Sequence, residues 1–104
     1  MSTYVFAYHG GSMPESEEAA QQVMADWMAW LQGLGEDVLD GGAPVGLAIT
    51  LHPDGQVVRD GGANPLSGYS LVRAESEEDA VAKARGCPHL RDGGTIEIAE
   101  AVEM

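Results

Sequence analysis

The sequence predicts an α+β fold in which one antiparallel sheet carries two helices on the same face. Segments with apolar residues at every second position, typical of strands, alternate with two segments whose apolar residues recur every three or four positions, typical of helices. Their order is strand, helix, strand, short strand, strand, helix, strand. Two strand–helix–strand units return the chain to one sheet through crossover helices, which predicts a ferredoxin-like fold with an added hairpin.

The first strand and the first helix have clear boundaries. The strand is predicted over 3–9, where aromatic and β-branched residues alternate, and the glycines at 10–11 end it. Ser12 and Glu15 have the spacing of a helix-capping box, so the helix is expected to begin there and to end at Gly35. The apolar stripe of this helix consists of Ala19, Val23, Trp27, Trp30, Leu31 and Leu34.

The middle of the chain predicts a connection and a small hairpin. Residues 36–46 end in Asp, Gly and Pro and are interpreted as turns. A strand is predicted over 47–51 and a short returning strand over 56–59, because the His-Pro-Asp-Gly between them has the chemistry of a tight turn. Residues 60–67 contain further Gly, Asn and Pro and are predicted to form a loop.

The last third repeats the strand–helix–strand order. A strand is predicted over 69–74, and Ser76 is expected to cap a second helix that ends at Gly86. The last strand begins at Thr95 and runs toward Val102. The whole chain, 1–104, is expected to form one domain, since this length has room for a single hydrophobic core.

The charge of the chain excludes two classes of partner. Five Lys and Arg stand against seventeen Asp and Glu, which gives a net charge of −12 with His neutral. Such a surface repels nucleic-acid phosphates and anionic lipids, so neither nucleic-acid nor membrane binding is expected. No apolar run approaches the ~20 residues of a membrane span, and the start of the sequence does not resemble a signal peptide. A cytoplasmic location is therefore expected.

One face of the predicted sheet has no helix to cover it. The first strand is nevertheless apolar or weakly polar on both faces, since Val5, Ala7 and His9 alternate with its aromatic residues. Soluble monomers seldom expose a large apolar patch. We therefore expect a homodimer in which two copies pair sheet against sheet about a two-fold axis. The alternative is a curled sheet whose open face is hydrated.

Several short motifs resemble one known family. They are Tyr8-His9-Gly10-Gly11, the two tryptophans of the first helix, Gly41-Gly42, Gly68-Tyr69, Cys87-Pro88-His89-Leu90, Gly93-Gly94 and Ile96-Glu97-Ile98. Together they resemble the YCII-related proteins, small members of the dimeric α/β-barrel superfamily, over nearly the whole chain. The resemblance implies a ferredoxin-like fold and a sheet-to-sheet dimer, but no established reaction. Related dimeric barrels place substrates in a cleft between sheet and helices, which is an analogy of fold.

The chain departs from one pattern of that family. Some members carry a His on the first helix and an Asp just before the Pro that follows the second helix, proposed as an acid–base pair. By the surrounding Gly and Pro landmarks, the first position falls near Ala25 or Asp26 and the second on Cys87. Neither residue of the pair is present, so the resemblance does not carry that activity over to this chain.

Five residues are candidates for a site near the first helix. His9, at the end of a strand beside flexible glycines, and Asp26 are candidates for proton transfer. Tyr8, Trp27 and Trp30 are candidates for ligand contact. Each also has a structural interpretation, since His9 can bond to loop carbonyls, Asp26 can face water, and aromatic residues at helical spacing are more often core.

No cofactor and no metal are expected. His9, His52 and His89 match no compact ligand spacing. Cys87 follows a helix C-terminus, where the dipole disfavours a thiolate, and is predicted to be a buried packing residue.

Two functions remain open on these observations, and a third, a metal-dependent lyase or oxygenase, would require at least two of the three histidines to converge. The first is a homodimer that binds a small organic molecule in a cleft near the first helix. If that protein is an enzyme, the acidic field favours proton transfer on an uncharged or cationic substrate. The second is a non-catalytic dimeric binding or assembly module, in which both tryptophans are purely structural.

Overall fold

The computed structural model describes residues 1–59 and 61–103, and within them the chain forms two α-helices and two antiparallel sheets. In chain order the elements are β1 (Ser2–His9), α1 (Glu17–Leu34), β2 (Val38–Pro44), β3 (Thr50–Leu51), β4 (Val57–Val58), β5 (Leu66–Ala74), α2 (Glu77–Ala84) and β6 (Thr95–Glu100). Short 3-10 turns lie at Gly35–Asp37 and Pro88–Leu90. The main sheet has the order β2-β5-β1-β6, and β3 pairs with β4. This confirms the ferredoxin-like fold with an added hairpin.

The core lies between the helices and one face of the main sheet. Tyr4, Phe6 and Tyr8 of β1 are buried and alternate with residues that are partly exposed, as the two-residue period of a strand requires. Trp27 and Trp30 of α1 pack against these rings. The remaining buried members of the core are Val72, Ala74, Ala80, Ala84 and Cys87.

The opposite face of the sheet carries no helix among the described residues. Strand pairing sets two rows across β5, β1 and β6, which are Leu71, Val5 and Ala99, followed by Tyr69, Ala7 and Glu97. None of these six residues is fully buried. We call the two rows, together with His9 at their end, the uncovered sheet face.

The shape of the chain is that of a plate. Its extents are 44 × 42 × 18 Å and its radius of gyration is 14.8 Å, against about 13 Å for a compact domain of 100 residues. Its accessible surface is 7094 Å², which is about 1,500 Å² more than the ~5,600 Å² expected of a folded monomer of 10.9 kDa. A sheet that is covered on one side only has this thin, wide form.

The first helix begins later than the sequence predicts. Its N-cap is Ser16, whose Oγ accepts a hydrogen bond from the Ala19 N–H at 3.1 Å. The Ser12 hydroxyl instead donates to the Asp92 carbonyl, also at 3.1 Å. The predicted cap at Ser12 was wrong. Ser12 and Ser16 both precede acidic residues, so either could cap the helix, and the Ser12 hydroxyl is engaged in the long-range contact with Asp92.

An edge strand replaces the predicted connection at 36–46. β2 pairs with β5 in a register that shifts twice, so its ladder is interrupted. Gly42 has a φ of +73°, and a Cβ there would overlap with the backbone carbonyl of Tyr69. The close approach of the two strands at this point depends on glycine. The turn interpretation was wrong because Asp-Gly-Gly-Ala-Pro serves here as an irregular strand.

The neighbouring boundaries also differ from the predictions. The predicted strands at 47–51 and 56–59 form a ladder only at Thr50–Leu51 and Val57–Val58. β5 begins at Leu66, inside the predicted loop 60–67, and Asp60 of that loop lies outside the described residues. The second helix is capped by Ser76 as predicted, with the Asp79 N–H donating to its Oγ.

Candidate functional site

Tyr8, Trp27 and Trp30 meet in one aromatic cluster between β1 and α1. The Tyr8 and Trp27 rings are 5.0 Å apart and edge-to-face, and Trp27 and Trp30 are 5.6 Å apart in the same arrangement. Phe6 extends the cluster, with its ring 6.4 Å from Trp30. Aromatic rings at these separations stabilise each other beyond their buried area. The cluster joins α1 to the sheet as part of the core.

The polar atoms of this cluster have partners within the chain. The indole N–H of Trp30 donates to the Lys83 carbonyl at 2.9 Å. The Tyr8 hydroxyl donates to Ser70 Oγ at 2.8 Å, and the Ser70 hydroxyl donates to the Gly41 carbonyl at 2.8 Å. Burial raises the pKa of the Tyr8 phenol well above its usual value, so the hydroxyl stays protonated. This relay links three neighbouring strands.

His9 lies on the uncovered sheet face, opposite the helices, and its side chain is 15% exposed. Its Nδ1 is 2.8 Å from the Asn64 carbonyl oxygen, and its Nε2 is 2.7 Å from Glu97 Oε1. Both partners are hydrogen-bond acceptors, so only a ring with a proton on each nitrogen donates to both. Glu97 was not a candidate from the sequence, because the strand register that brings it to His9 is not visible there.

His89 fixes the backbone of His9 from the other side. Its Nε2 donates to the His9 carbonyl at 2.9 Å, and its buried ring lies against the rings of Tyr8 and Trp27. A Cβ on Gly94 would overlap with the His89 ring, which explains why a glycine stands there. The last strand, the connection before it and the end of β1 are therefore locked together around His89.

Asp26 lies on α1 and has two partners. Its Oδ2 accepts a hydrogen bond from Arg91 Nη2 at 2.7 Å, and its Oδ1 accepts one from Gln22 Nε2 at 2.9 Å. The Arg91 contact, and after it the Gln22 contact, lowers the pKa of the Asp26 carboxyl. Asp26 and His9 belong to opposite sides of the sheet, so the structure does not bring these two predicted residues together.

A shallow groove of about 370 Å³ runs between α1 and the turn after α2. Arg91, whose side chain is 62% exposed, and Trp30 both line this groove. Two residues singled out in the sequence, Asp26 and Trp30, thus share one groove with an arginine that sequence reasoning missed. The lining consists of Asp26, Ala29, Trp30, Gly86, Pro88 and Arg91.

Cys87 lies next to this groove, but its side chain is a packing residue and not a reactive one. It is 2% exposed and belongs to the core, which confirms the predicted packing role. Burial raises the pKa of its thiol to about 11, so the nucleophilic thiolate is scarce at neutral pH.

Two kinds of feature are absent from residues 1–59 and 61–103. No three His, Cys, Asp or Glu side chains gather closely enough to hold a metal ion. None of the helices in these ranges has the length and apolar character needed to cross a bilayer.

Comparison with known proteins identifies a family. Residues 4–104 match the YCII-related domain. No curated protein and no solved structure is significantly similar to the chain. Because the family match extends over almost all of the sequence, the chain belongs to the YCII-related domain family.

Proposed function

We propose that this YCII-related protein is a homodimer that binds a small organic molecule in the groove between α1 and the turn after α2. The observation that carries the proposal is the meeting of Asp26, Trp30 and Arg91 in that groove. Small-molecule sites combine apolar walls with a few placed polar groups. Here Trp30 and Pro88 supply the apolar walls and Arg91 supplies the polar group.

The resemblance within the family supports the same place. The acid–base pair that some members carry falls, in this chain, near Ala25 or Asp26 on α1 and on Cys87 beside the groove. The charged pair of Asp26 with Arg91 occupies this location instead. Because its pKa is lowered, Asp26 is ionised at neutral pH and serves to orient Arg91, not to donate a proton.

The chemistry of the groove favours an uncharged ligand. Arg91 gives one N–H to Asp26, and a guanidinium carries five, so further donors are available to an oxygen atom of a ligand. The net charge of −12 opposes anionic molecules at long range. The best fit is a flat uncharged molecule that rests on Trp30 and Pro88 and accepts a hydrogen bond from Arg91.

Proton transfer is a second candidate activity, favoured by the pair of His9 and Glu97. A ring that donates from both nitrogens has no lone pair to accept a proton, so in this arrangement His9 would act as a general acid, with the Glu97 carboxylate 2.7 Å away orienting the ring. His9 belongs to the uncovered sheet face, so this activity would reside at the contact between two copies and not in the groove.

The surface of the chain supports the dimer. Its excess of about 1,500 Å² over a folded monomer of the same mass is larger than the ~800 Å² that each partner buries in an interface of standard size. The uncovered sheet face, with Val5, Ala7 and Leu71 among its residues, is the surface on which a two-fold contact would form.

A thermal-shift screen of uncharged and cationic metabolites tests the groove. A ligand at about 100 times its Kd should raise the Tm by about 10 °C or more in the wild type and in Arg85→Ala, an exposed arginine outside the groove. The same ligand should leave Arg91→Ala unshifted. A ligand that raises the Tm of both arginine variants equally would contradict binding in the groove. If no compound raises the Tm, the result would favour the non-catalytic module.

Sedimentation at micromolar concentration tests the dimer. The wild type should sediment as a dimer, and Leu71→Lys should sediment as a monomer because it places a charge on the uncovered sheet face. A monomeric wild type would overturn the dimer while leaving the groove open to the thermal-shift test.

A further inference from the structure

A two-stranded hairpin extends from the sheet between β2 and β5. We call residues 46–59, which contain β3 and β4, the hairpin arm. These two strands pair with each other and with no other described strand. Leu47, Ile49 and Leu51 are 76%, 55% and 71% exposed, and Val57, paired with Leu51, is also exposed.

An arm of this kind is poorly stabilised when it stands alone. An isolated two-stranded hairpin is marginal in water, and stability requires a third strand or a surface against its apolar side. Leu51 lies in β3, and Leu47 and Ile49 precede it in the same short segment, so three exposed apolar side chains lie close together along the chain. The exposed apolar side of the arm therefore needs a cover that the described part of this chain does not supply.

The distribution of charge indicates a second copy as that cover. The arm contains one acidic and one basic residue, Asp54 and Arg59, so the whole net charge of −12 belongs to the rest of the chain. Two copies repel each other except where both surfaces are neutral. The arm is neutral, and the two rows of the uncovered sheet face carry one charged pair, His9 with Glu97, beside the Arg73–Asp37 pair in the adjoining row. An acidic chain also repels anionic bilayers, which disfavours a membrane as the cover.

The base of the arm is attached beside the uncovered sheet face. The Gly10 N–H donates to the Pro65 carbonyl at 3.0 Å, and His9 Nδ1 is 2.8 Å from the Asn64 carbonyl oxygen. Gly61 fits closely against Ala48 and Pro65. The returning segment is thus fixed to the end of β1, at the edge of the surface that the proposed dimer would bury.

We propose that the hairpin arm of each protomer packs Leu47, Ile49 and Leu51 against the second copy and so clasps the dimer. The proposal rests on the dimer proposed above and adds its second contact. A standard interface of ~800 Å² per partner accounts for only about half of the surface excess of ~1,500 Å². The arm supplies further apolar surface for the remainder.

A triple substitution measures the contribution of the arm. In Leu47→Ser/Ile49→Ser/Leu51→Ser, the dimer dissociation constant from analytical ultracentrifugation should rise at least tenfold. The matched control is Met13→Ser/Met24→Ser/Met28→Ser, which removes three exposed apolar side chains outside the arm and should change that constant less than twofold. Tryptophan fluorescence reports whether each variant stays folded, since both tryptophans lie in the core region.

Hydrogen–deuterium exchange of the wild type keeps the test valid if the triple variant unfolds. Amides of the arm should gain protection when the protein concentration is raised from below to above the dimer dissociation constant. Unchanged arm protection, or an unchanged dissociation constant in the folded triple variant, would overturn the clasp while the dimer stands. A wild type that is monomeric throughout would overturn both the dimer and the clasp.

Discussion

The two ring nitrogens of His9 face a backbone carbonyl and a carboxylate, and its own carbonyl accepts a hydrogen bond from His89. These partners come from 55, 80 and 88 residues away along the chain, counted from the residue numbers of Asn64, His89 and Glu97. The residue type of His9 and its place at the end of a strand were enough to make it a candidate for a functional site. Its environment required the strand register, which brings Glu97 to the same face.

The same distinction holds for Asp26. The sequence identified it as a helix carboxylate between apolar neighbours, but its partner Arg91 lies 65 residues further on. Pairing with an arginine at that distance leaves no local pattern in the sequence. Trp27 and Trp30 were the easier case, because apolar spacing on a helix predicts which side of it faces the core.

The thiol of Cys87 is expected to be unreactive in the native protein. Burial raises its pKa to about 11 and also blocks access. At pH 8 the native protein should react with Ellman's reagent roughly 100-fold more slowly than the protein unfolded in guanidinium chloride, because of its smaller thiolate fraction. Similar rates in the two states would contradict a buried, protonated thiol.

At the scale of secondary-structure elements, β2 is a strand that the sequence did not predict. Val38–Pro44 lacks a regular alternation, and Asp, Gly and Pro within it are the residues of turns. Tertiary contacts outweigh these local preferences, because β2 pairs with β5 and the Gly41 carbonyl accepts a hydrogen bond from the Ser70 hydroxyl. Regular elements such as β1 and α2 were predictable because local pattern and tertiary placement agree in them.

Gly42→Ala is expected to destabilise β2 strongly. An alanine would hold a positive φ of +73° and its Cβ would overlap with the Tyr69 carbonyl. We expect a loss of about 2 kcal/mol or more in the free energy of unfolding, or a fall in Tm of about 10 °C. Thermal melting followed by circular dichroism measures it.

The matched control is Gly33→Ala in the last turn of α1. A Cβ at Gly33 meets nothing within 4 Å, so alanine should stabilise the helix by about 0.5–1 kcal/mol. Equal effects of the two substitutions would show that the close approach of Gly42 to β5 is not needed for stability.

The first turn of α2 gives the stability a dependence on pH. The Asp79 carboxylate accepts hydrogen bonds from Lys83 and from the Glu75 N–H, and these lower its pKa. A carboxyl whose folded pKa is lowered contributes stability above its unfolded pKa of about 3.9 and loses it as the pH falls through the folded value.

Asp79→Asn removes that charge and should therefore lower the Tm at pH 7. The difference in Tm from the wild type should narrow as the pH falls below the unfolded pKa of about 3.9 toward the lowered folded value. Melting curves at pH 7, 5, 4 and 3 measure this difference. A difference that stays constant over the series would mean that the charge of Asp79 is not what stabilises the helix.

At the scale of the whole molecule, the net charge of −12 opposes a compact state. Salt screens this repulsion, since the Debye length falls to about 8 Å at 0.15 M ionic strength. The Tm should therefore rise by several degrees between 0.01 M and 0.2 M NaCl.

Potassium chloride serves as the control for this prediction. Screening depends on ionic strength alone, so an equal concentration should give the same rise in Tm. A rise that depends on the cation would indicate ion binding, and no rise would show that self-repulsion is unimportant.

The hydroxyl relay from Tyr8 through Ser70 to Gly41 has a consequence for aggregation. It spans β1, β5 and β2, and so ties the irregular border strand to the centre of the sheet with buried side-chain bonds. Border strands that peel away expose backbone groups to which a foreign chain can add as an extra strand. In this protein the relay holds β2 against β5, so a foreign strand has less access to the backbone of β2. Loss of the relay would free β2, whose own ladder is interrupted.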